Sequence, residues 1–88
     1  MKMIIAILED QFTEATTRSL VKADFRITRL ASTGGFFREG ATTLMIGVED
    51  NHLETALELI REQIPFSDNP EKINATIYVL NIKDFQRV

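Results

Sequence analysis

The stretch FRITRLASTGGFFREGATTLMIGVE, residues 25–49, decides how the chain folds. Residues 25–32 alternate large apolar or β-branched side chains with arginine and threonine, which is strand character. Gly34, Gly35 and Gly40 then interrupt regular structure, and 42–49 resumes a strand with Leu44, Ile46 and Val48 on one face and Thr43, Met45 and Gly47 on the other. Two strands joined by a glycine-rich loop make a hairpin-like pair at the centre of the chain.

Each flank repeats one pattern around this centre. Before it, 2–8 is an apolar strand, followed by a helix whose face is Phe12, Ala15, Thr16, Ser19, Leu20 and Ala23, with Asp10 or Thr13 as N-cap. After it, Asp50 or Asn51 caps a second helix with Leu53, Ala56, Leu57, Ile60 and Ile64 as its apolar stripe. Pro65 ends that helix, a polar connection covers 65–73, and 75–82 is the last strand. The order β-α-β-β-α-β predicts an α+β, ferredoxin-like domain spanning 1–88, with a four-stranded antiparallel sheet and both helices on one face.

Two helices leave the second face of such a sheet uncovered, and an open face should show polar residues at alternate positions. The first strand runs Met3, Ile4, Ile5, Ala6, Ile7, Leu8, apolar on both faces, and the last sets Ile77 and Val79 against Tyr78, Leu80 and Ile82. The pattern predicts a further subunit on the second face, the alternative being a central first strand partly covered by the C-terminal tail. With 88 residues and no cysteine, the chain has neither a large core nor disulfides to supplement it, which points the same way.

The formal net charge of −3 argues against a binder of nucleic-acid polymers, which needs a basic surface. The apolar run at 4–8 is too short for a membrane span or a signal-peptide core, so the expected location is the cytoplasm. Charge is unevenly placed, with Arg26, Arg29 and Arg38 the only cations between 25 and 38 while acids dominate 49–62.

Catalysis finds little support, and neither a cofactor nor a metal is expected. The one histidine, His52, reads as a surface residue at the start of an acidic helix. The pairs Glu9-Asp10 and Glu49-Asp50 read as helix-capping groups in preference to a cation site. The richer segment is the loop. Adjacent Gly34 and Gly35 free the backbone to turn successive N–H groups toward one point, an anion nest. Phe36 and Phe37 follow and offer stacking surfaces, while Arg26, Arg38, Thr28, Ser32 and Thr33 supply charge and hydroxyls nearby. The same Gly-Gly-Phe-Phe run also fits a hairpin turn whose rings pack into the core or an interface.

The opening Met1-Lys2-Met3-Ile4-Ile5-Ala6-Ile7, the strand from Phe25-Arg26 to Leu30-Ala31, the Ser32-Thr33-Gly34-Gly35-Phe36 loop, Gly40 with Thr42-Thr43, Ile46-Gly47-Val48-Glu49 and the 75–85 stretch together resemble the PII-like cyclic-di-AMP receptor family, over nearly the whole chain. The resemblance implies a non-catalytic, homotrimeric signalling protein that binds the nucleotide in clefts between subunits and passes the signal to a downstream protein. It also implies roles for particular residues. Arg26 and Thr28 match strand positions around an adenine. Thr33, Gly34, Gly35, Phe36 and Phe37 match the loop that meets phosphate and base, and Gly47 matches a position where the ligand approaches closely. The chain departs from the family at Ala41, where an asparagine is usual, and in its tail, where Arg87 or Gln86 is the candidate for the phosphate contact usually made by a glutamine. The 65–73 connection is also shorter than the family's. These departures leave two alternatives, a sensor of another adenine nucleotide (ATP, ADP or AMP) and a trimeric interaction protein without a ligand.

Overall fold

The computed structural model describes residues 1–30, 40–83 and 86. Its elements are β1 (Lys2–Glu9), α1 (Asp10–Lys22), β2 (Ile27–Leu30), β3 (Ala41–Val48), a single 3₁₀ turn at Asp50–His52, α2 (Leu53–Gln63) and β4 (Ala75–Asn81). The strands form one sheet in the order β2-β3-β1-β4, with every neighbouring pair antiparallel. This is the ferredoxin-like α+β arrangement expected from the residue pattern.

Register divides the side chains between the faces. Ile4 lies opposite Ile46 and Val79, and Ala6 opposite Leu44 and Ile77, so these residues share one face. Ile4, Ala6, Leu44 and Ile46 pack with Leu20 of α1 and with Ala56, Leu57 and Ile60 of α2 in one hydrophobic cluster, and Ile77 packs against it. Both helices therefore cover that face. The other face carries Met3, Ile5 and Ile7, flanked by Met45 on β3 and by Tyr78 and Leu80 on β4. Tyr78 is 53% and Leu80 48% exposed, an apolar surface left open by the chain's own elements.

The helix ends depart from the expected caps. Asp10 is the first residue of α1 rather than its cap, and its carboxylate accepts a hydrogen bond from the Thr42 hydroxyl at 2.6 Å, tying the helix start to β3. Thr13 turns into the core, its hydroxyl donating back to the Glu9 carbonyl at 3.4 Å, which permits the burial of a polar residue. The buried stripe of α1 is thus Thr13, Thr16 and Leu20, rotated from the expected face, and Ala23 is exposed. Asp50 and Asn51 belong to the 3₁₀ turn, whose preceding residue Glu49 makes no side-chain capping bond, and α2 follows His52 directly.

At its far end α1 stops in a hydrogen-bonded reversal. The Asp24 N–H donates to the Val21 carbonyl and the Phe25 N–H to the Leu20 carbonyl, both at 3.0 Å, with Asp24 at φ 71°. This is a Schellman motif, in which the residue after the helix takes the left-handed conformation and the next apolar residue folds back on the last turn. Phe25 does so, packing against the cluster that holds Leu20. The reversal uses 24 and 25, and β2 starts at Ile27, two residues later than the sequence suggested. Among the described residues no helix is long and apolar enough to cross a membrane.

Candidate functional site

A cleft of about 630 Å³ opens beside the Schellman turn, where the end of α1, the start of β2, the end of β3 and the start of α2 converge. Arg26 and Thr28 form one wall, Met3, Met45 and Gly47 line it from the sheet, and Glu49, His52 and Thr55 stand on the side of α2. Flexible, polarisable methionines beside a glycine give a floor suited to a flat heteroaromatic ring.

Arg26, just before β2, and Arg29, within it, have different tasks. Arg29 faces the helices and binds the Glu14 carboxylate of α1 at 3.1 Å, so the fold already uses its charge. Arg26 is exposed at the cleft and has no ion pair with the described residues. A guanidinium in this state can take a phosphate or stack on a base.

Gly47 is the one position on the β3 side of the cleft without a side chain. A Cβ built there meets only the Met1 methyl carbon, at 3.7 Å, which is ordinary contact. The packing of the described residues therefore does not require glycine at this place.

Opposite Arg26 the rim is acidic. Asp24 and Glu49 both border the cleft. Next to Glu49, the Asp50 carboxylate lies 3.0 Å from the Met1 amino group. The hydrogen bond and charge of that amino group hold the Asp50 carboxyl below the usual carboxylate range, with Lys2 adding to the effect. The stability linked to this pair is complete above the ordinary carboxylate pKa and is lost as pH falls through the lowered value. The His52 ring stands edge-on to Phe25, with centroids 6.5 Å apart and planes at 84°. Among the described residues no group of three or more histidines and carboxylates gathers to hold a metal ion.

Asp24 at φ 71° is a non-glycine residue in left-handed conformation, held there by the Schellman bonds. Asp24→Gly is expected to raise stability by about 0.5–1 kcal/mol in urea melts, through relief of that strain.

Of the residues expected from the sequence, the cleft brings together Arg26, Thr28 and Gly47. Ala41 is 5% exposed at the opposite end of β3, across from Glu9, and does not line this cleft. Thr33, Gly34, Gly35, Phe36, Phe37 and Arg87 lie outside the described residues, as do Ser32 and Arg38. The methionines, Glu49, His52 and Thr55 were not anticipated. The place of Met45 and Glu49 beside Gly47 was the only local signal; the others arrive through tertiary packing.

The model of a family described as cyclic-di-AMP receptor matches residues 1–69. The chain belongs to the cyclic-di-AMP receptor family. The matched segment of this PII-like protein runs from β1 through α2 and includes every described residue that lines the cleft. Among solved structures, the chain is similar to a functionally unknown protein from Pediococcus pentosaceus, at 32% identity and a TM-score of 0.77, over 99% of this chain and 96% of that one. The likeness extends to β4, which the family match does not reach.

Proposed function

We propose that this receptor-family chain is a non-catalytic homotrimer of the cytoplasm that binds cyclic di-AMP in clefts between neighbouring subunits and relays its presence to a downstream protein. The observation that carries this reading is the pairing of an uncommitted guanidinium, Arg26, with a side-chain-free strand position, Gly47, in one cleft floored by methionines. The first suits a phosphate or a base, the second lets a ring lie close to the backbone.

Assembly is supported by two features of the sheet. The face with Met3, Ile5, Ile7, Met45, Tyr78 and Leu80 is apolar and open. The β4 edge, Ala75–Asn81, carries no charge and no proline, so nothing on it discourages pairing with another strand. The number three comes from the family resemblance. A non-catalytic role is supported by the match to a receptor family.

A thermal-melt screen across cyclic di-AMP, ATP, ADP and AMP tests ligand identity. The largest upward shift belongs to cyclic di-AMP on this reading. A larger shift with a mononucleotide would assign the protein to that nucleotide instead. Arg26→Gln is expected to weaken binding by about tenfold, the loss of one charge-assisted contact, while leaving the melting temperature of the free protein in place because Arg26 is exposed and has no ion pair among the described residues. Calorimetric titration of both proteins reads this directly.

A further inference from the structure

The chain has three methionines and no cysteine, and all three methionines line the cleft beside the Schellman turn. They gather around one position. Met3 lies directly opposite Gly47 across the β1–β3 pair, and Met45 stands two residues before Gly47, on the same face of β3. The Met1 methyl carbon is 3.7 Å from the place that a Gly47 Cβ would take. Opposite and diagonal neighbours in a sheet are within reach of long side chains, so Met3 and Met45 share one patch of floor.

These sulfurs are open to small oxidants. Met1 is 37% exposed, Met3 and Met45 are half-buried, and none of the three belongs to the buried core. A cleft that admits a nucleotide also admits hydrogen peroxide. Thiolates are the usual first target of such an oxidant, and with no thiol in the chain the oxidisable sulfur is all thioether. The sulfur lone pair attacks one peroxide oxygen, an S–O bond forms as the O–O bond breaks, and the second oxygen leaves as water. Sulfur loses two electrons and the peroxide gains them. The sulfoxide is polar and chiral where the thioether was flexible and apolar. On this floor its oxygen would replace a polarisable contact with an aromatic ring by a dipole in need of a hydrogen bond.

We infer that Met3 and Met45, with the more exposed Met1, form a reversible oxidation site, at which a hydroperoxide closes the cleft to its ligand and reduction of the sulfoxides reopens it. The loss of binding rests on the nucleotide reading of this cleft; the oxidation itself does not. Ligand occupancy would then report both the nucleotide and the oxidant to which the protein has been exposed.

The test treats the intact protein with hydrogen peroxide, maps oxygen uptake by peptide mass, and titrates cyclic di-AMP before treatment, after it, and after repair by methionine sulfoxide reductases with dithiothreitol. A Met3→Leu, Met45→Leu double variant, close to volume-conserving, is carried in parallel. All three methionines are expected to gain one oxygen each, binding to fall at least about tenfold, and repair to restore it. The double variant is expected to keep its affinity within about threefold through the same treatment. Met3 and Met45 left unoxidised, unchanged affinity of the oxidised protein, or an equal loss in the double variant would overturn the inference. Unfolding or dissociation of the treated protein would overturn it too, since the loss would then come from the sheet and not from the cleft floor. Untreated protein that binds no adenine nucleotide would overturn the nucleotide reading and this coupling together.

Discussion

Gly47→Val is expected to bind cyclic di-AMP about a hundredfold more weakly than the unsubstituted protein while folding at least as well, the loss combining a base-stacking contact with a displaced charge-assisted one. The two halves of this result come from separate facts. Gly47 lies inside β3, opposite Met3, where a β-branched residue suits the pleated backbone, and the added Cβ meets only a methionine methyl at 3.7 Å. Replacing glycine also restricts the unfolded chain, so stability is expected to hold or rise by about 0.5 kcal/mol. On the cleft side the valine methyls occupy the floor on which a ring would lie. Calorimetry measures the first half and thermal melting the second. Affinity kept within about threefold would mean that the ligand does not approach Gly47.

The second large effect concerns the sheet's two faces. Ile4→Ala is expected to destabilise the protein by about 3 kcal/mol, because Ile4 is fully buried in the central strand between Ile46 and Val79 and its loss leaves a cavity beneath the helices. Against a total of roughly 5–15 kcal/mol for a domain, that is a large fraction. Its neighbour Ile5 points to the open face beside Tyr78 and Met45. Ile5→Ala should instead act through assembly: the oligomer dissociates at a higher protein concentration, while the chain's own core is intact. Urea melts at several protein concentrations separate the two variants. Equal, concentration-independent losses at both positions would show that the second face is not an interface.

The pattern of alternating side chains made the strands legible. Leu44, Ile46 and Val48 fall on the core face and Met45 and Gly47 on the other, as their spacing requires, because a period of two follows from strand geometry alone. The helix ends were less legible, since a carboxylate before a helix has several possible partners and sequence distance does not rank them. Asp10 binds Thr42, thirty-two residues away, and Asp50 binds the Met1 amino group. The start of β2 was misplaced because Asp24 supports a left-handed turn usually given to glycine. For the site, Arg26, Thr28 and Gly47 were identified from the family resemblance, and the structure brings these three together. Met3 and His52, far away in sequence, reach the same cleft only because β1 pairs with β3 and the 3₁₀ turn folds the start of α2 against Phe25.

The difference between Arg26 and Arg29 shows how the fold assigns similar residues to different work. Three positions apart, one is paired with Glu14 and the other stands at the cleft without an ion pair among the described residues. The sequence presents a cationic cluster; the structure divides it into a structural ion pair and a candidate ligand contact. A receptor needs that division, because a guanidinium already held by a carboxylate would lose that partner on binding a phosphate.

The most direct test of the cyclic-di-AMP assignment is calorimetric titration of the protein with that nucleotide, run beside its mass in solution and with Gly47→Val as the matched control. A trimer with a cleft between each pair of neighbours predicts saturable binding of one nucleotide per chain, lost in the control. Absence of both heat and melting shift at high nucleotide concentration, in a protein that is folded and assembled, would contradict it.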